Sequence, residues 1–172
     1  MNYTTEFGLW YSASSTLRLH GYSDANFAGC RLDRKSTSGC CPFLGSLVSW
    51  SSRKQSSVAQ STTEAEYVAA ASCCSQLLWM TYTMSDFGEE CSQVPLFCDS
   101  TSAISVAKNP VLHSKTKHIE VRYHFLRDNV EKGNISLSYV PTQDQLADIF
   151  TKPLDQVTFT RLRGELEVCF PF

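Results

Sequence analysis

The stretch Val94-Pro95-Leu96-Phe97-Cys98-Asp99-Ser100 decides how this chain folds. Five residues run without polar alternation and stop at an acid. Such a run predicts a strand buried on both faces, as in a parallel sheet covered by helices. Ser100 is placed to cap a short helix through Lys108, which Asn109-Pro110 closes. A parallel strand needs a helical crossover, so the neighbouring segments should supply helices.

They do on the N-terminal side. Ser61-Thr62-Thr63 offers helix caps, and both Ser61 to Glu64 and Thr63 to Glu66 fit the capping-box spacing. Ala65, Val68, Ala69, Ser72, Cys73 and Leu77 then recur at three- and four-residue steps. This predicts a long helix to about Ser85, with Gly88 past its end. Further upstream, Leu17 to Asp24 alternates like a strand. Residues 29–38 read as a polar turn, and 39–48 as an apolar strand made irregular by Pro42 and Gly45. Ser49 to Ala59 reads as a third strand, completing an antiparallel meander.

On the C-terminal side, Ile119, Tyr123, Leu126 and Val130 mark one face of another helix. Ile135 to Val140 alternates as a strand ended by Pro141. A helix is expected from Asp144 to Phe150, and a last amphipathic piece uses Phe159, Leu162 and Leu166. Three antiparallel strands followed by strand–helix units predict an α/β fold, a mixed sheet with helices on its faces. Residues 1–16 read as a linker from something upstream, 17–154 as the domain, and 155–172 as a helical extension.

Composition narrows the function. The 172 residues are 42% hydrophobic and 19% charged, enough to bury a core. With 15 Lys+Arg against 17 Asp+Glu the net charge is -2, which excludes holding nucleic acid by bulk charge alone. No apolar run approaches the ~20 residues of a membrane span, and no membrane partner is expected. The first residues lack the basic-then-apolar pattern of a secretory signal. The eight cysteines (Cys30, Cys40, Cys41, Cys73, Cys74, Cys91, Cys98, Cys169) form no C-x-x-C pair, so they read as reduced, mostly buried small hydrophobes.

Four acids stand where chemistry is expected. Asp24 closes the first strand, Glu66 lies in the first turn of the long helix, Asp99 closes the apolar strand, and Asp148 follows the last strand. If the first and fourth strands are neighbours, Asp24 and Asp99 emerge side by side, with Glu66 and Asp148 approaching from beside them. Clustered carboxylates repel without a compensating cation. Hard oxygen ligands suit Mg²⁺ or Mn²⁺, and a pair of such ions serves phosphoryl displacement in nucleases and polymerases. Taken singly, each acid also has an ordinary reading: Glu66 and Asp99 as helix caps, Asp24 as a turn acid. Composition and periodicity leave that choice open.

The surrounding words are more specific. Gly21-Tyr22-Ser23-Asp24-Ala25-Asn26-Phe27-Ala28-Gly29-Cys30 and Asp33-Arg34-Lys35-Ser36-Thr37-Ser38-Gly39 resemble the opening of the ribonuclease H domain of Ty1/copia-type retrotransposon polyproteins. Ser61-Thr62-Thr63-Glu64-Ala65-Glu66-Tyr67 and Phe97-Cys98-Asp99-Ser100 continue the likeness. Lys115-Thr116-Lys117-His118-Ile119-Glu120 and Gln143-Asp144-Gln145-Leu146-Ala147-Asp148-Ile149-Phe150-Thr151-Lys152-Pro153-Leu154 extend it, so that it covers residues 7–166.

The resemblance implies a ribonuclease H-like fold, with a mixed five-stranded sheet flanked by helices. It implies an endonuclease that cuts the RNA strand of RNA–DNA hybrids with two Mg²⁺ ions, or Mn²⁺ in their place. Asp24, Glu66, Asp99 and Asp148 carry over as the catalytic, metal-ligating set. Glu66 is preferred to Glu64 because small and apolar residues follow it; Glu64 then reads as the cap. Asp144 reads as a helix cap or a supporting group, and as the substitute for Asp148. The loop Val140-Pro141-Thr142-Gln143 lacks the His that many cellular relatives carry there, which predicts modest turnover; His124 reads as a structural or surface residue. Arg34, Lys35, Lys115 and Lys117 are expected to meet phosphates. The hybrid would be recognised by shape and 2′-hydroxyls. An upstream reverse transcriptase domain is the implied partner, in a cytoplasmic particle or the nucleus. Rival readings are a silent, co-opted module that binds hybrid without cutting, and an integrase-type core with a different acidic set.

Overall fold

The computed structural model describes residues 6–12, 16–109 and 120–170. The predicted meander forms from β2 (Leu19–Asn26) and β3 (Thr37–Leu44), paired antiparallel from Leu19 opposite Leu44 to Asn26 opposite Thr37. Beyond β3, the short strands β4 (Ser46–Leu47) and β5 (Ser51–Lys54) both pair back onto it. The third strand is therefore four residues long instead of the stretch from Ser49 to Ala59. Pro42, which has no N–H to give, falls in the gap between the two partners.

β6 (Val94–Cys98) lies parallel to β2, with Gly21 opposite Leu96 and Tyr22 opposite Phe97, and parallel to β7 (Ile135–Tyr139). The apolar run is the predicted central parallel strand, but it is buried on one face only: Val94, Leu96 and Cys98 are buried, while Pro95 and Phe97 are half-buried. The path β4-β3-β2-β6-β7 is the mixed five-stranded sheet, with β5 as an added edge segment on β3.

Helices α1 (Thr62–Asp86), α2 (Thr101–Lys108) and α3 (Glu120–Glu131) cover one face. Their core includes Tyr67, Val68, Cys73, Leu77, Leu96, Leu126 and Ile135. α1 packs tightly because small residues face the sheet on both sides. A Cβ on Gly21 would meet Cys73 Sγ and Leu77 at 3.2 Å. The other face carries a second core of Cys41, Phe43, Leu47, Leu146, Ala147, Leu162 and Leu166. Cys40 belongs to the first core and Cys41 to the second, as the alternation of a strand requires.

The stretch after β7 departs from expectation. Residues 144–150 do not form an α-helix; they form two 3-10 turns, Thr142–Asp144 and Leu146–Phe150. Gln145 separates them in extended backbone and is fully buried. Its Nε2 donates to Ser23 O at 3.0 Å, and its Oε1 accepts from Ala147 N at 3.2 Å. That side-chain bridge to β2 replaces the main-chain ladder of a helix. α4 (Gln156–Glu165) follows, capped by Asp155. Leu162 and Leu166 are buried as predicted, whereas Phe159 keeps 43% of its surface exposed. At the chain's two ends, β1 (Gly8–Leu9), within the stretch read as a linker, pairs antiparallel with β8 (Val168–Cys169).

Candidate active site

Asp24 lies on β2 opposite Gly39, two residues before the strand ends, and only 2% of its surface is exposed. Extending the β2–β6 register by two residues brings Asp24 level with Asp99, which follows β6 directly. The two acids thus leave neighbouring parallel strands at the same end of the sheet.

Glu66 comes from α1. Ser61 caps that helix by accepting from Glu64 N at 3.1 Å, and the Glu64 carboxylate accepts from Gln60 N at 3.0 Å. Capping is thereby satisfied without Glu66, whose side chain turns inward instead. Glu66 Oε1 accepts from Ala25 N at 3.1 Å, one residue beyond Asp24. Its Oε2 is buried without a hydrogen-bond partner. Glu66, 9% exposed, brings a carboxylate oxygen within 4.8 Å of both Cys98 Sγ and an Asp99 oxygen. Burial, then the charges of Asp24 and Asp99, push its carboxyl up to about 9, against the Ala25 bond.

Asp148 lies in the second 3-10 turn and is 5% exposed, whereas Asp144 points into solvent. Lys152 Nζ stands 2.8 Å from Asp148 Oδ1. Burial raises Asp148 to about 6; Lys152 pulls against that rise and the charge of Asp24 adds to it. Burial by itself lowers Lys152, but Asp148, Asp24 and Asp99 outweigh it and hold the ammonium above its ordinary range. Thr151 ties the two sides together. Its hydroxyl donates to Asp24 Oδ2 and also meets Asp148 O. Asp99 Oδ2 accepts from the Thr142 hydroxyl at 2.8 Å.

All four predicted acids therefore gather at one end of the sheet, where Asp24 and Asp99 bear on Glu66 and Asp24 bears on Asp148. A buried carboxylate oxygen without a donor, on a carboxyl that burial and the charges of Asp24 and Asp99 push up, is a poor arrangement for protein alone. A divalent cation with hard-oxygen preference would resolve it, so the donor set fits Mg²⁺ or Mn²⁺.

Sequence reading did not single out Lys152, Thr151, Thr142 or Cys98. Only Lys152 left a signal, four residues after Asp148. Of the predicted phosphate contacts, Arg34 is exposed in left-handed backbone (φ 56°) and Lys35 is half-buried, while Lys115 and Lys117 lie outside the described residues. Beside them Asp33 binds Lys54 at 2.7 Å, so part of this loop's charge is already neutralised. His124 is exposed and bonds Arg127 Nη2 at 2.9 Å.

Solved structures share this architecture. An RNase H1 isolated from compost superposes with a TM-score of 0.58 at 17% identity, covering 79% of this chain and 94% of its own. The N-terminal RNase H domain of rv2228c from Mycobacterium tuberculosis gives 0.57 at 11% identity, covering 87% and 99%. The fold is that of a ribonuclease H domain.

No protein-family model matches the chain. Its sequence is 41% identical over 167 residues to the Pol polyprotein from transposon RE2 of Arabidopsis thaliana, covering 96% of this chain and 12% of that one. It is 39% identical over 152 residues to the one from transposon TNT 1-94 of Nicotiana tabacum, covering 88% and 11%. Its homologues are thus Ty1/copia-type Pol polyproteins, of whose length the chain spans about an eighth.

Proposed function

We propose that this domain is a metal-dependent endonuclease that hydrolyses the RNA strand of RNA–DNA hybrids during reverse transcription of a retrotransposon. The convergence of Asp24, Glu66, Asp99 and Asp148 on one end of the sheet carries this reading. A relative by fold, LC11-RNase H1, was solved in complex with an RNA/DNA hybrid, which supports the substrate class.

In this reading the four carboxylates hold two divalent ions, which supply charge neutralisation and activation of water for in-line displacement at phosphorus. The chain's own part is to present the oxygens in place. The main chain at Ala25 fixes Glu66, the Thr151 hydroxyl fixes Asp24, and the Thr142 hydroxyl fixes Asp99. Lys152 holds Asp148 and offsets the negative charge of the cluster. Arg34 and Lys35, with Lys115 and Lys117, would contact phosphates. With a net charge of -2, hybrid binding by the domain alone should be weak, and an upstream reverse transcriptase domain would hold the template.

The test is incubation of the purified chain with a labelled hybrid in Mg²⁺, in Mn²⁺ and in EDTA, beside Asp99→Asn. Cleavage by the wild type only, lost in EDTA, is the expected result. Equal cleavage by wild type and variant would reject this site. Hybrid binding without cleavage in either ion would make the domain a silent module.

A further inference from the structure

Helix α1 carries no charged residue from Tyr67 to Ser85, yet one side of it faces solvent. Ser72, Ser75, Trp79 and Tyr82 recur at three- and four-residue steps and are all exposed, Trp79 by 61% and Tyr82 by 66%. A solvent-facing helix surface ordinarily carries charges, so this stripe suits a partner better than water. Two adjoining hollows of about 460 and 510 Å³ share Ser75 and Phe125 and form one groove along it. Arg53, Lys54 and Ser56 line its start, and Asn129 and Lys132 its far end. The start lies close to the acids. Arg53 pairs opposite Ser38, and Ser38 opposite Ala25, the residue after Asp24. Two strand spacings of about 4.8 Å set the Arg53 main chain about 10 Å from that of Ala25.

We propose that this groove is a track for single-stranded nucleic acid, taking an unpaired stretch that continues from a hybrid held at the acids. This rests on the reading of that site as a nuclease and adds a second contact surface to it. Proteins that hold single strands without sequence preference combine cations along the backbone with aromatic rings on which bases stack. Here Arg53 at one end and Lys132 at the other supply charge, and Trp79, Tyr82 and Phe125 supply rings. Lys54 adds less, because Asp33 holds it at 2.7 Å. Among the described lining residues the only acid is Asp128, and Arg127 stands 3.7 Å from it. The helix face between the two cationic ends repels no phosphate. This charge pattern favours a polyanion over an apolar protein surface. From Val68 to Tyr82 the helix rises about 21 Å, room for roughly six stacked nucleotides at about 3.4 Å each.

The experiment measures binding of a labelled RNA–DNA hybrid to the full chain by fluorescence anisotropy, in EDTA to prevent metal-dependent cleavage. A blunt hybrid is compared with hybrids that carry about six unpaired nucleotides, oligo-dT or oligo-rU, at each end in turn. Wild type is set beside the double variant Trp79→Ala/Tyr82→Ala and beside Arg53→Gln, all at exposed positions. The expected result is that at least one extension tightens Kd about fivefold or more, and that the double variant loses this gain. Arg53→Gln should lower the slope of log Kd against log salt by about one. Equal Kd for blunt and extended hybrids, or a gain that the double variant retains, overturns the proposal. Self-association in sedimentation that the double variant lacks, with no gain from any extension, makes the stripe a protein interface and also overturns it. If the blunt hybrid binds too weakly to measure, oligo-dT and oligo-rU alone carry the test. Saturable quenching of tryptophan fluorescence that Trp79→Ala removes supports the track, and its absence overturns it. Cleavage of hybrid in Mg²⁺ separates the two readings. Cleavage with no gain from any extension removes only the track. A gain that depends on Trp79 and Tyr82, without cleavage, removes only the nuclease.

Discussion

Asp24 and Glu66 stand inside an eight-residue strand pairing and a 25-residue helix, whereas Asp99 directly follows a strand and Asp148 sits in a five-residue 3-10 turn. The first pair is set largely by main chain: the β2–β3 ladder places Asp24, whose carboxylate the Thr151 hydroxyl then holds, and Ala25 N–H fixes Glu66. The second pair is set by side chains, the Thr142 hydroxyl on Asp99 and the Lys152 ammonium on Asp148. One half of the site is therefore as rigid as the core beneath it. The other half can adjust by rotating a few bonds, at the energies typical of local openings.

The comparison is broken most severely by removing a carboxylate from the rigid half. Asp24→Asn should lower Mg²⁺-dependent cleavage on the order of 10³-fold or more, since several kcal/mol of transition-state stabilisation go with it. Single-turnover assays on the folded variant check this, and near-normal rates would show that the rigid half is scaffold only.

Coupling between the halves is tested at Gly39, the cross-strand partner of Asp24. A Cβ there would lie 2.6 Å from Thr151 Cγ2 and 2.9 Å from Ala147 O. Gly39→Ala should push the 3-10 segment off β3, costing about 1–3 kcal/mol in urea unfolding. It should also misplace Asp148. Unchanged stability would mean that the adjustable half absorbs the methyl group freely.

Stability against pH separates the halves without mutation of the fold. In EDTA, Glu66 keeps its proton up to about 9 in the folded state but loses it near 4.5 when unfolded. Between those values the unfolded chain binds fewer protons, so stability falls as pH rises. Asp148, raised to about 6, adds the same sign over a lower window. Melting temperature in EDTA should therefore decline from pH 5 to pH 9, and Glu66→Gln should flatten most of that decline. Mg²⁺ should restore more stability at pH 8 than at pH 5, because it replaces the proton on these oxygens. A pH-independent melting curve would contradict the buried, uncompensated Glu66.

The smallest effect is expected at Lys152, whose ion pair is partly open to solvent. Lys152→Met should lower the melting temperature in EDTA by a few degrees, about 1 kcal/mol, and the difference should shrink when Mg²⁺ is present. A larger loss in Mg²⁺ than in EDTA would mean that the ammonium serves the loaded site.

What could be read from residues alone follows the same division. Val94 to Cys98 announced a central parallel strand by its lack of polar alternation, although only Val94, Leu96 and Cys98 are buried and the opposite face, Pro95 and Phe97, is half-buried. α1 was legible from its caps and its period; Asp24, Glu66 and Asp99 could be placed on those elements, but their choice as one set came from the resemblance, because each acid alone also reads as a cap or a turn residue. The segment from Thr142 to Phe150 looked helical, but Gln145 Nε2 bonds Ser23 O, an acceptor 122 residues away, and no local pattern encodes that contact. The same holds for the Thr151 to Asp24 hydrogen bond and for the approach of Cys98 Sγ to Glu66. These are products of tertiary folding. β1 escaped notice because two residues carry no period at all.

That small ribbon has its own consequence. With Gly8 beside Cys169 and Leu9 beside Val168, the polypeptide enters and leaves through a single doorway. A seam of a few residues could join those ends, and the chain could be reopened at the exposed turn around Gly88. Such a circular permutant should keep its native melting behaviour, because the order in which the strands are threaded matters less here than the edge on which the thread is tied.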